Sequence, residues 1–215
     1  MNYEILTNEE IVRALSNVPA AVRGILQRED VVLAGGAVRD TMAALPAKDV
    51  DIFCHSREQA EKLAKQLAGF DPSAPEVRET MFAFSVDFYG VPVQFVFYKD
   101  FSDARDLISQ FDFRACCVGI YWDGCWCGVA VEGFREDCAA RVLRFMSQAK
   151  DEHKLTALRR ALTFAGKGWT ISNAELARIL LHWQDVKMTK ATYDAYEAEH
   201  AKVVHAFRPG YGGRR

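Results

Sequence analysis

The sequence has no run of about 18 apolar residues, so a membrane-spanning helix is not expected. At its start, Met1-Asn2-Tyr3-Glu4-Ile5, a basic region followed by an apolar one is missing. No secretory leader is therefore expected, and the chain is read as cytoplasmic, without a membrane partner. Neither charge is in excess: 27 Lys and Arg stand against 29 Asp and Glu, a net charge of -2. Whole-chain electrostatics thus give no signature of a nucleic-acid binder or a membrane-surface protein. The six cysteines include no CxxC pair; Cys116-Cys117 are adjacent and Cys125 and Cys127 are two apart. Adjacent strand residues point to opposite faces, which hinders a shared tetrahedral zinc site, so buried free thiols are expected. There is also no internal repeat. What is present is a 50% hydrophobic, 12% aromatic composition over 215 residues, enough for one or two small packed domains.

Local patterns alternate between helix and strand. Thr7 and Glu10 have capping-box spacing ahead of Ile11, Leu15 and Val18. A second helix is expected over 20–27, and a buried strand over 31–33 runs into Gly35-Gly36. A helix over 38–45, a strand over 50–54 and a helix over 57–67 come next. Phe82, Phe84, Val86 and Phe88 alternate as a strand with one buried face does, and 93–98 returns after Gly90. A short helix is expected over 102–109. Strands over 115–122 and 126–131 flank Asp123-Gly124, which predicts a type I′ hairpin. Residues 134–207 read as almost wholly helical, with Ser172 and Thr189 opening two of the helices.

The stretch that carries chemistry is Leu33-Ala34-Gly35-Gly36-Ala37-Val38-Arg39-Asp40, then eight residues, then Asp49-Val50-Asp51. A strand that enters two glycines and then a helix offers unobstructed backbone N–H groups, a setting that favours phosphate. Asp49 and Asp51, two apart on a strand, project to one face. Side by side their carboxylates repel unless a hard cation lies between them, and oxygen ligands suit Mg²⁺. A phosphate cradle beside a Mg²⁺ dyad is the apparatus of phosphoryl or nucleotidyl transfer. Either feature alone is commonly a turn or a solvated strand edge; their order along the chain gives them meaning together.

Gly35-Gly36-Ala37-Val38-Arg39-Asp40 through Lys48-Asp49-Val50-Asp51 resembles the first motif of class II tRNA nucleotidyltransferases and bacterial poly(A) polymerases, GG-x-VRD followed by DxD. The resemblance implies an α+β chain of the DNA polymerase β-like nucleotidyltransferase superfamily. It implies that Asp49 and Asp51 hold catalytic Mg²⁺, that Gly35 and Gly36 face the triphosphate, and that Arg39 and Asp40 shape the loop and its phosphate contacts. Asp112-Phe113 is similar to the second motif, RRDFTxNA, with Gln110 and Phe111 where the arginines stand and Cys116 at the asparagine position. Asp112 is carried over as a nucleotide contact, the other reading being a turn or cap residue. Arg114 is a further charge two residues on. Asp137 and Arg141-Val142-Leu143-Arg144-Phe145 resemble the segment that leads into the family's neck helix. Leu158-Arg159-Arg160-Ala161 through Gly168-Trp169-Thr170-Ile171 resembles that helix, which places Arg159 and Arg160 at the nucleotide.

Two departures matter. The base-reading EDxxR pattern is replaced by Glu152-His153-Lys154-Leu155-Thr156-Ala157, which argues against templated CCA addition. The strand position that often carries a third carboxylate holds Gln94, which cannot act as a base; Asp87 on the neighbouring strand would substitute if it faces Asp49 and Asp51.

These readings combine into a nucleotidyltransferase head over 1–145 with a small mixed sheet, an all-helical neck-like domain over 146–207 and a flexible tail over 208–215. The expected activity is Mg²⁺-dependent transfer of a nucleoside monophosphate from ATP or CTP to an RNA 3′-hydroxyl, with release of pyrophosphate and room for a protein partner. The alternatives are nucleotidylation of a protein or small molecule, or a nucleotide- or RNA-binding module with degraded catalysis. Local charge supports a polyanionic ligand: Arg141, Arg144, Lys150, Lys154, Arg159, Arg160 and Lys167 outnumber Asp151 and Glu152 between 141 and 170. A solvated helix face is the plainer account of the same run.

Overall fold

A computed structural model describes residues 1–71, 76–146 and 151–184, with side chains omitted at 151–156 and 182–184. The helix expected from Thr189, the tail over 208–215 and Lys150 lie outside the described residues.

Strand β1 (Tyr3–Ile5) leads into helix α1 (Asn8–Ser16) through the capping box: Thr7 Oγ1 accepts the Glu10 N–H and the Glu10 carboxylate accepts the Thr7 N–H. Helix α2 (Ala20–Leu26) starts after Pro19 and buries Val22, Ile25 and Leu26. Strand β2 (Val32–Ala34) enters helix α3 (Gly36–Met42), and strand β3 (Val50–Phe53) precedes helix α4 (Arg57–Ala68), capped by Ser56. Strands β4 (Arg78–Glu79), β5 (Ala83–Phe88) and β6 (Val91–Val96) follow, then helix α5 (Ala104–Ser109). Strands β7 (Val118–Trp122) and β8 (Trp126–Val131) form a hairpin ahead of helix α6 (Phe134–Ala140). Strand β9 (Val142–Leu143), helix α7 (Asp151–Ala165), strand β10 (Thr170–Ile171) and helix α8 (Asn173–Gln184) complete the described chain.

The fold is α+β. Eight strands form one mixed sheet in the order β1-β8-β7-β2-β3-β6-β5-β4, in which β3 and β6 run parallel and the other pairs antiparallel. Helix α4 packs on β5 and β6 with α2 beside it, and Val22, Ile25, Leu33, Ile52, Leu63, Leu67, Phe95 and Ile120 are wholly buried. Among the described residues no helix is long and apolar enough to cross a membrane.

Several local expectations are corrected. The segment from Ala115 is a 3-10 turn over Arg114–Cys116 before β7 begins. Its backbone is engaged elsewhere: the Arg114 N–H donates to the Arg144 carbonyl and the Met146 N–H to the Asp112 carbonyl. The Asp123-Gly124 turn is a three-residue loop, because Trp122 pairs with Trp126 and Gly124, not Asp123, has positive φ. The two-residue type I′ geometry occurs at Tyr89-Gly90, with φ of 49° and 79° between the paired Phe88 and Val91. After Glu132 the chain is not purely helical: β9 and β10 pair in parallel, joining residues on either side of α7. Cys54, Cys116, Cys117 and Cys138 are buried free thiols as expected, but Cys125 is exposed and Cys127 only half-buried.

Candidate active site

Gly35 leaves β2 with φ +74°, a conformation side chains disfavour, and turns the chain into α3. Gly36 then stands in front of two carboxylates. A Cβ placed on it would lie 3.4 Å from Asp49 Oδ1, 3.8 Å from Asp51 Oδ2 and 3.7 Å from Arg39 Nη2. Absence of a side chain at 36 therefore keeps open the space that both acids face. Asp49 immediately precedes β3 and Asp51 is its second residue, so the pleat turns both the same way. The Asp51 carboxyl is pushed up to about 7 by burial first, then by the Asp49 charge, with Arg160 and Arg39 partly offsetting both. What exposure Asp51 retains is to a walled cavity, where the protein displaces much of the solvent that would stabilise its charge.

That cavity, about 550 Å³, is lined by Gly35, Gly36, Asp49 and Asp51 at its floor. Helix α7 supplies one wall through Arg159, Arg160, Thr163 and Phe164, which recur at helical spacing, and Lys167 adds to it from the turn just after the helix. Arg160 Nε lies 2.6 Å from Asp112 Oδ2 and is thereby aimed inward from α7. Arg39 is buried, donates through Nε to Asp40 Oδ1 at 2.7 Å and through Nη1 to Cys116 Sγ at 3.3 Å, and lies 4.6 Å over the Phe164 ring. The rim also carries Thr80, Phe82, Ala83, Val96, Tyr98 and Lys99, and the Tyr98 hydroxyl, raised by burial, feels the charges of Arg160, Asp112 and Asp51.

The structure brings Gly35, Gly36, Arg39, Asp49, Asp51, Asp112, Arg159 and Arg160 to one cavity. Asp40 does not line it; it sits behind Arg39 as that residue's buried counter-charge. Asp87 does not line it either. In the register of β5 and β6 it is Ser85 that stands opposite Gln94, while Asp87 stands opposite Pro92, one pleat repeat further along the strand. Gln94 is the residue next to Asp51 across the β3–β6 ladder. Arg114 turns away to make two hydrogen bonds, of 2.6 and 2.8 Å, with the buried Asp137. Sequence reasoning missed Phe82, Tyr98 and Lys99 as site residues. Their one signal was a position at the ends of the two alternating strands. Lys154 is on α7, but its side chain is outside the described set.

Among the described residues no group of three or more His, Cys, Asp or Glu is placed to hold a metal. The pair Asp49 and Asp51 nonetheless fits Mg²⁺, which commonly takes one or two protein carboxylates and completes its shell with water and substrate phosphates. The raised Asp51 carboxyl, to which the neighbouring Asp49 charge contributes, and the open space at Gly36 are the observations that support this fit.

Comparison with known proteins gives both a family and a fold. A family model described as "Gabija anti-defense 2 family protein" matches residues 6–141. A protein named Gabija anti-defense 2 from Bacillus phage SPbetaL7 is 27% identical over 171 residues, 79% of this chain and 40% of its own length. A Thermotoga maritima CCA-adding enzyme complexed with tRNA is similar in structure with a TM-score of 0.58 at 17% identity, over 84% of this chain and 45% of that one. A CCA-adding enzyme in complex with CTP gives 0.56 at 19% identity, over 84% and 46%. One in complex with ATP gives 0.55 at 17% identity, over 84% and 46%. The chain thus has a nucleotidyltransferase-like fold and spans less than half the length of these proteins.

Proposed function

The chain belongs to the Gabija anti-defense 2 family, and from that premise we propose that it is a nucleotidyltransferase that moves a nucleoside monophosphate from ATP or CTP to an acceptor hydroxyl. The observation that carries this reading is the joining, in one cavity, of a paired-carboxylate floor and a cationic helix wall. A nucleoside triphosphate has complementary parts: phosphates for the floor and for Arg159, Arg160 and Lys167, with its base kept to the α7 side of the cavity.

Asp49 and Asp51 would hold Mg²⁺, which when bound neutralises charge on the reacting and leaving phosphate oxygens. Gly35 and Gly36 admit the phosphates at contact distance from the acids. Arg160, held by Asp112, and Arg159 attract and orient the β- and γ-phosphates. Arg39, neutralised by Asp40, braces the floor against Phe164 on α7. In the reaction the acceptor oxygen forms a bond to the α-phosphorus, the bond to the bridging oxygen breaks, and pyrophosphate leaves. The acceptor proton passes to water, because the group beside Asp51 is Gln94, not a carboxylate.

An RNA 3′-hydroxyl is the acceptor favoured by the sequence resemblance to tRNA nucleotidyltransferases and poly(A) polymerases. A second reading, a protein hydroxyl, is favoured by membership of an anti-defence family, since modifying a defence component would disarm it directly. On this proposal 1–145 is the catalytic head and 146–207 a neck-like unit that carries the cationic wall. The test is pyrophosphate release and label transfer from each NTP with Mg²⁺, using RNA and defence-system proteins as acceptors. Wild-type turnover no greater than that of an Asp49→Asn/Asp51→Asn variant sinks the catalytic reading; tight NTP binding without turnover would leave a binding module.

A further inference from the structure

The two walls of the cavity lie on different sides of the strand that bears Asp51. In the sheet β2 and β7 lie to one side of β3, and β6 and β5 to the other. Helix α7 is fixed on the first side, where Arg160 reaches Asp112 and Cys116 and Phe164 packs on Phe113. On the second side the rim is aromatic. Phe82 and Tyr98 face each other with ring centroids 5.0 Å apart and an interplanar angle of 57°. They flank the strands, Phe82 just before β5 and Tyr98 just after β6, and are 37% and 40% exposed, whereas Phe84 on β5 and Phe95 on β6 are buried.

The exposed pair is also held in place. Thr80 Oγ1 accepts the N–H groups of Phe82 and Ala83, and the Phe97 N–H donates to the Phe82 carbonyl, so the turn that presents Phe82 is tied on both sides. Lys99 places its ammonium 5.0 Å from the Tyr98 ring centre and 5.6 Å from that of Phe111, adding positive charge to the cavity side of the pair. Two preordered aromatic faces beside a cation, opening into a cavity with a carboxylate floor, match a ring-bearing anion rather than an aliphatic hydroxyl.

We propose that Phe82 and Tyr98 form a stacking platform for the terminal nucleobase of the acceptor, a single-stranded RNA whose 3′-hydroxyl then faces Asp49 and Asp51. The proposal rests on the nucleotidyl-transfer reading and deepens it by assigning the acceptor's side of the cavity. The α7 wall takes the triphosphate; the β5–β6 rim takes the strand. Base–aromatic stacking tolerates any base, because each has a flat π face. The platform therefore selects for the presence of a base and not for its identity.

The test measures binding separately from turnover. Fluorescence anisotropy with the full chain compares a 5′-labelled eight-residue RNA with the same RNA made abasic at its 3′ terminus. The wild type is expected to bind the intact RNA about tenfold more tightly. Phe82→Leu and Tyr98→Leu, which keep apolar volume, should erase that difference, and Tyr98→Phe should restore it. Affinity for a non-hydrolysable NTP, measured on the same variants, should stay within about twofold of wild type. Equal binding of the two RNAs, no RNA binding at all, AMP competing as well as the strand, or a defence protein as the preferred labelled acceptor with Phe82→Leu unaffected would each overturn the platform. The two readings separate cleanly. A base-dependent difference in an enzyme without turnover keeps the platform and removes the transfer reaction; transfer to RNA that ignores Phe82→Leu does the reverse.

Discussion

Arg160 Nε and Asp112 Oδ2 lie 2.6 Å apart, so a helix wall and a turn of the sheet are joined by one charge pair at the cavity. The carboxylate is nearly buried while the guanidinium is 44% exposed along its side chain. This asymmetry suits a pair that orients a cation toward a ligand more than one that holds the fold, because partial solvation weakens the pair as a source of stability.

Asp112→Asn keeps an acceptor at that position but removes its charge. NTP affinity should fall about tenfold through misorientation of Arg160, while the melting temperature drops by only a few degrees. Asp137→Asn is the control. Its carboxylate is buried, holds Arg114 and Arg144 and lies away from the cavity, so stability should fall by ~2–3 kcal/mol with little change in NTP affinity of the folded fraction. Thermal melts and nucleotide titrations on both variants distinguish the two roles.

Gly36→Val should leave the fold within ~1 kcal/mol of wild type, since φ at 36 is not positive, yet should lower turnover roughly a hundredfold. The added methyl groups would stand where Asp49 and Asp51 converge. Comparing turnover with circular dichroism separates a filled site from an unfolded one.

Asp51 gives a pH signature. Its carboxyl is raised from 3.8 to about 7 in the fold, so the folded state favours the protonated form. Without metal, stability should decline as pH climbs from about 4 to 7 and level off above it. Mg²⁺ needs the ionised pair, so the rise in melting temperature on adding Mg²⁺ should be small at pH 6 and clearly larger at pH 8. Asp51→Asn should melt higher than wild type at pH 8 without metal and lose the Mg²⁺ response. Equal Mg²⁺ shifts at both pH values would count against the coupling.

Arg39→Lys retains the charge but loses the planar fork that reaches both Asp40 and Cys116 and stacks on Phe164. A destabilisation of ~2–3 kcal/mol is expected. A change in the tryptophan emission should accompany it, because the Trp169 ring centre lies 5.9 Å from the Arg39 guanidinium. Urea melts followed by fluorescence and by circular dichroism test both points together.

The carboxylate floor was legible in the sequence because it is nearly contiguous: Gly35 to Asp51 is one strand–turn–helix–strand passage, and period two turns both acids the same way. The helix starts at Thr7 and Ser172 were equally readable, since a cap is a local hydrogen-bonding pattern. The edge strand at Tyr3–Ile5 was not, because three residues carry too little alternation and its identity depends on Val129–Val131. For the same reason the pairing of Val142–Leu143 with Thr170–Ile171 escaped a reading that saw only helical periodicity around it. Asp87 stood as the candidate third carboxylate until register placed Ser85, not Asp87, opposite Gln94. Phe82 and Tyr98 were hidden by composition: on an alternating strand an aromatic residue signals core, and only the solved packing reveals which rings remain outside.

The pairing of Tyr3 with Val131 has a consequence for how the molecule comes into being. A chain leaving the ribosome presents the floor residues by position 51, but the sheet edge begun at Tyr3 must wait for β8, and the cationic wall for α7. Contacts so distant along the chain close slowly, and until they close, hydrophobic strand edges stand open to other chains. The protein is thus born with its acids made and its site unmade, and its earliest vulnerability lies in that interval of synthesis.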